Sequence, residues 1–101
     1  MISKIQCVQR LENAINILRR AANHLLNGQV IHSYRQMGHL TDIVNPEIDA
    51  SGDKIRIISL IKMRLKQGDQ LDAHDLIKSL IDRCNAERII IIKNALEEQN
   101  R

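Results

Sequence analysis

At 101 residues the chain has room for one domain and one core. It carries one Tyr and no Phe or Trp, so the interior must be Ile and Leu, each contributing about 1.5–3 kcal/mol on burial, and recognition of single-stranded nucleic acid by ring stacking is disfavoured. A net charge of +3 and a pI of 9.1 admit a nucleic acid or acidic protein partner without requiring either.

The first predicted helix covers residues 3–27. Val8, Leu11, Ile15, Leu18, Ala22 and Leu25 alternate spacings of three and four, which draws one apolar seam along it and also resembles a short coiled-coil rhythm. Asn13, Asn16, Arg19 and Arg20 fall off the seam. Gly28 supplies a left-handed stop. A second helix follows over 30–44, with Val30, Ile31, Tyr34, Met37 and Leu40 facing inward and Gly38 weakening it. Asn45-Pro46 ends that helix, because a residue before Pro avoids the α region. The Pro, Asp, Ser and Gly of 45–52 mark a linker.

The third helix is predicted over 53–67. Ile55, Ile57, Ile58, Leu60, Ile61, Met63 and Leu65 make it apolar around much of its circumference, as expected of a central helix or a dimer face. Gly68 caps it. Asp72 is the predicted N-cap of helix four, with Asp75 completing an approximate capping box, and Leu76, Ile77, Leu80, Ile81 and Cys84 form its buried stripe. Asn85 is the predicted N-cap of a fifth helix over 86–99. Four consecutive Ile, Ile89 to Ile92, cover every side of one turn there, so at least one faces outward unless a second subunit covers it.

Residues 15–42 lie without gaps on 55–82. Ile15 falls on Ile55, Ile17 on Ile57, Leu18 on Ile58, Leu25 on Leu65, Gly28 on Gly68, Ile31 on Leu71, Leu40 on Leu80 and Asp42 on Asp82. Each copy reads as helix, glycine stop, helix, a unit whose apolar face needs a neighbour. The expected architecture is therefore all-α: a small bundle of four to five helices, with a hairpin over 1–44, a linker over 45–52, and a second hairpin plus a C-terminal helix over 53–101.

Motifs for chemistry are lacking. There is no nucleophile elbow, phosphate loop or zincin motif, and no His pair at i,i+4 among His24, His32, His39 and His74. No catalytic residue, metal ligand or cofactor is expected, and the chain is not read as an enzyme. Asp72 and Asp75 resemble paired carboxylates, yet a helix start accounts for both. Lys54, Arg56, Lys62, Arg64 and Lys66 stand on one helix but spread over its outward arc. They suit a solvated face first and phosphate contact second, the latter through Lys62, Arg64 and Lys66. Cys7 and Cys84 fit neither a disulfide framework nor a CxxC motif. With no apolar run near the ~18 residues of a membrane span and no apolar signal core, the expected location is the cytoplasm, away from membranes.

The run Gly68-Asp69-Gln70-Leu71-Asp72-Ala73-His74-Asp75-Leu76-Ile77-Lys78-Ser79-Leu80-Ile81 resembles the core of the YmgB/AriR family of small enterobacterial regulators. The likeness extends over 53–99. It implies a non-enzymatic helical dimer in biofilm and acid-resistance control, connecting to two-component signalling or associating with DNA, with Leu71, Leu76, Ile77, Leu80 and Ile81 at core or dimer positions. The expected function is thus a small regulator or adaptor that works as a homodimer and binds a protein partner, with Ile57, Ile61, Leu65, Leu76, Leu80, Ile90 and Ile91 on the interaction face. A DNA-binding regulator is the second reading, and a helical chaperone or secretion accessory the third.

Overall fold

The computed structural model describes residues 3–46 and 48–100. They form four α-helices: α1 (Lys4–Leu26), α2 (Val30–Ile43), α3 (Asp53–Lys66) and α4 (Gln70–Gln99). No strand occurs among the described residues. The all-helical expectation therefore holds. Helices four and five of the sequence reading are one continuous helix: Asn85 lies inside α4, where its side-chain oxygen accepts from Arg88 Nη2 at 2.8 Å, and nothing there breaks the backbone ladder.

Local chemistry accounts for the boundaries. Ser3 opens α1 with a capping box, its Oγ accepting from the Gln6 amide while the Gln6 side chain accepts from the Ser3 amide. Gly28 and Gly68 both take positive φ, +72° and +76°. At the first, the Gln29 amide donates to His24 O and the Gly28 amide to Leu25 O; at the second, Asp69 donates to Arg64 O and Gly68 to Leu65 O. These are two Schellman closures built alike, and both need a residue without a Cβ strain penalty. The N-cap of α4 is Asp69, whose side chain accepts from the Asp72 amide, and not Asp72 as expected. Asp72 instead sits in the first turn, 2.6 Å from Arg64 Nε.

α1 packs on α4 and α2, and α3 packs on α4 and α2, while the diagonal pairs barely meet. The helices therefore close a ring in chain order. The core is aliphatic, with Leu11, Leu18, Met37, Leu40, Ile58, Ile61, Ile77 and Leu80 at most 1% exposed. Ser33 is buried at the α1–α2 crossing and satisfies its hydroxyl by donating to Ala21 O at 3.0 Å.

The internal repeat governs what is buried. On α1, Ala14, Leu18, Ala21 and Leu25 are buried and match Lys54, Ile58, Ile61 and Leu65 on α3; α1 also buries Leu11, Ile15 and Ile17, whose counterparts Ser51, Ile55 and Ile57 are not buried. On α2 and its C-cap the set is Ser33, Met37, Leu40 and Val44; on α4 it is Ala73, Ile77, Leu80 and Cys84. Every residue of the second set in each pair stands 40 positions after its counterpart. Each half thus turns the same face inward, and the neighbour that this face needs is the other half of the same chain.

Gly38 lies on the exposed side of α2 with helical φ, and a Cβ built there meets nothing within 4 Å. Gly38→Ala is expected to stabilise the fold by about 0.5–1 kcal/mol, since Gly loses more backbone freedom on folding. A rise in the urea midpoint at unchanged slope would be the signature.

Candidate functional site

α1 and α4 are longer than the helices between them, with 23 and 30 residues against 14 each for α2 and α3. The ion pairs of the start of α3 set the level at which the bundle ends. Asp53 lies 3.9 Å from Arg83, and Lys54 Nζ 2.6 Å from Glu87. Beyond that level α4 runs on beside the first turns of α1 as a two-helix arm, which lengthens the molecule to 51 Å against 22 and 16 Å across. No described residue before Leu11 or after Cys84 is buried.

Arg88 Nη1 to Glu12 at 3.4 Å ties the two helices of the arm near the bundle, and Lys4 pairs with Glu98 near its tip. Between these pairs lies a groove of about 210 Å³ whose lining includes Ile5, Val8, Ile91, Ile92, Ala95 and Leu96. Ile5 is 71% exposed, Leu96 55% and Ile92 37%. Ile89 and Leu96, seven residues apart, share a side of α4 with Ile92. Toward the bundle the α1–α4 groove turns polar, lined by Glu12, Asn16, Arg19, Asn85 and Arg88 with Ile15.

The predicted interaction face is divided by the fold. Ile61, Leu65 and Leu80 are occupied by the chain's own core, Ile57, Leu76 and Ile91 are half-buried against it, and Ile90 is exposed. Ile31, expected to face inward, is 69% exposed, and its repeat counterpart Leu71 is 83% exposed. Each is the second residue of its helix, ahead of the first inward position at Ser33 or Ala73. With Leu26 they stand at the hairpin ends, beside a second apolar groove lined by Val30, Ile31, Tyr34, Leu65 and Lys66. Ile92 belongs to the run Ile89 to Ile92 that the sequence marks as partly outward, whereas Ile5 and Leu96 carry no such mark in the sequence reading. The signal for them was the continuation of the apolar seam past the length of α2 and α3, legible only once those lengths are known.

The basic residues do not converge. Lys62 and Lys66 are one turn apart on α3, whereas Arg64 points about 200° away from Lys62. Arg64 is engaged, with Nε at 2.6 Å from Asp72 and Nη1 donating to Gln67 at 3.1 Å. Lys66 Nζ stands 5.5 Å from the centre of the Tyr34 ring. Lys54 is buried: Nζ donates to Glu87 Oε1 at 2.9 Å and to Ile48 O at 3.2 Å. Asp49, also buried, accepts from the amides of Lys54 and Ile55 and so caps α3.

His24 and His32 approach with ring centres 5.3 Å apart, and His24 Nδ1 is 2.8 Å from Gln29 Oε1. Among the described residues no three His, Cys, Asp or Glu side chains are grouped to hold a metal ion. Burial pushes the Cys84 thiol up to about 11, with Lys54 opposing and Glu87 and Asp49 reinforcing the rise. Cys84 is expected to resist alkylation at pH 8 in the native protein and to react on unfolding, as peptide mapping would show. No described helix is long and apolar enough to cross a membrane. No protein family, curated protein or solved structure matches the chain.

Proposed function

We propose that this chain is a non-enzymatic helical interaction protein, a small regulator or adaptor, which works by associating through the α1–α4 arm. The observation that carries this reading is the row of exposed Ile and Leu along the arm. Contiguous apolar surface on a helical projection is stable in water only when its cost is small or a second surface covers it, and such patches mark interaction sites. The likeness of Gly68 to Ile81 to the YmgB/AriR core supports the regulatory side of the reading, and two free cysteines suit a reducing cytoplasm.

Sedimentation velocity across the micromolar range tests it. Wild type is expected to associate, and a variant with both Ile92→Asp and Leu96→Asp to remain a monomer with an unchanged helical circular dichroism spectrum. Both positions are exposed, so the substitutions leave the core intact. A wild type that stays a strict monomer throughout that range contradicts the proposal.

A further inference from the structure

The outer face of the arm is nearly palindromic along its length. The pairs Glu12–Arg88 and Lys4–Glu98 fix the relative levels of the two antiparallel helices, which puts Val8 beside Ile92. On α4, Ile89 and Leu96 flank Ile92 at similar distances. On α1, Lys4 and Glu12 lie one helical turn to either side of Val8 and carry opposite charges. Such a face is complementary to itself turned end for end.

We infer that a second copy of this chain covers the groove, with the two arms antiparallel about a two-fold axis at the level of Val8 and Ile92. This rests on the interaction reading above and adds the occupant and its orientation. In that arrangement α1 lies on the partner subunit's α1 and α4 on the partner subunit's α4. Lys4 then meets the partner's Glu12, and Glu12 the partner's Lys4, while Ile89 meets the partner's Leu96. The opposite choice, two copies with parallel arms, would also press the polar stretch of Glu12, Asn16, Arg19, Asn85 and Arg88 onto itself and strip its water. The antiparallel copy confines contact to the apolar stretch and points the two bundles apart. From Arg88 to Gln99 the arm runs about 18 Å at 1.5 Å per residue and is about two helix diameters wide. A face of that size, roughly 400 Å² per copy, is about half the standard one, so the dimer is a weak and reversible one.

The test uses the full chain and two charge reversals. Lys4→Glu leaves two acidic ends and Glu12→Lys two basic ends, so each variant alone is expected to dimerise about tenfold more weakly than wild type. An equimolar mixture of the two restores both pairs across the two-fold and is expected to form a heterodimer of near wild-type affinity. Loss of the pairs each residue makes within its own chain predicts no such recovery on mixing. In a Cys7→Ser background, Ile92→Cys is expected to oxidise to a disulfide-linked dimer by itself. Cross-linking only when Ile92→Cys is mixed with Gln9→Cys would instead show parallel arms and overturn the inference. A dimeric wild type with neither recovery on mixing nor a cross-link at position 92 would overturn the geometry while leaving association standing. A monomeric wild type would remove both.

Discussion

Ile61→Asp is expected to unfold the chain. Ile61 is wholly buried on α3, among Ile58 and Leu65 of its own helix and the aliphatic residues of the helices that flank it. Truncating such a side chain costs about 2–5 kcal/mol in lost transfer energy and cavity. An ionised carboxylate with no partner adds a desolvation cost of at least similar size. A domain of this length has roughly 5–15 kcal/mol to lose, so the sum takes most or all of it. Ile90→Asp is the control. The same chemical change at a position 56% exposed should shift stability by no more than about 0.5 kcal/mol. Urea titrations followed by circular dichroism separate the two: a helical Ile61→Asp with a midpoint near wild type would mean that Ile61 does not lie in the core.

That contrast also shows how far the letters alone reach. The apolar period placed α1, α2 and α3 close to their observed limits, because a 3.6-residue rhythm, two glycines and Asn45-Pro46 are local signals. The 40-residue repeat was legible for the same reason, and its consequence, a shared set of buried positions, follows from it. What the letters could not supply was which apolar face meets which. Helix α3 reads as apolar nearly all round, and a dimer face was the natural expectation for Ile57, Ile61 and Leu65. The bundle instead satisfies most of that surface within one chain, and the surplus falls where α1 and α4 outrun their neighbours. The cap of α4 was misplaced by three residues because Asp69 and Asp72 are equally good cap residues, and the choice depends on where the Schellman turn at Gly68 releases the backbone. Asn85 resembled a helix start because Asn favours caps, yet a polar residue inside a long helix is tolerated where it can bond a neighbour such as Arg88.

Lys54→Met is expected to cost about 3–5 kcal/mol, the penalty for removing one member of a buried ion pair. From composition Lys54 is one of several cations on an outward arc. In the fold it occupies the position equivalent to Ala14, and its side chain is 5% exposed. Its ammonium reaches across the end of the bundle to Glu87, 33 residues on, and back to Ile48 O and the Asp49 carboxylate. The Asp49 side chain is itself 1% exposed and holds the first amides of α3, so it cannot turn to water when the cation goes. Glu87 can, being 38% exposed, and its loss of a partner should cost little. The penalty therefore resides in Asp49, and this makes the idea separable from simple loss of packing. Adding Asp49→Asn to Lys54→Met removes the stranded charge, but it keeps an acceptor for only one of the two α3 amides that Asp49 Oδ1 and Oδ2 accept, and turns an NH2 toward the other. The double variant should then recover part of the loss, so that the two substitutions together cost less than their sum, a coupling that a double-mutant cycle reads directly. If Lys54→Met unfolds at the wild-type urea concentration, or if Asp49→Asn makes the loss additive, the Lys54–Asp49 pair does not hold the linker to the start of α3.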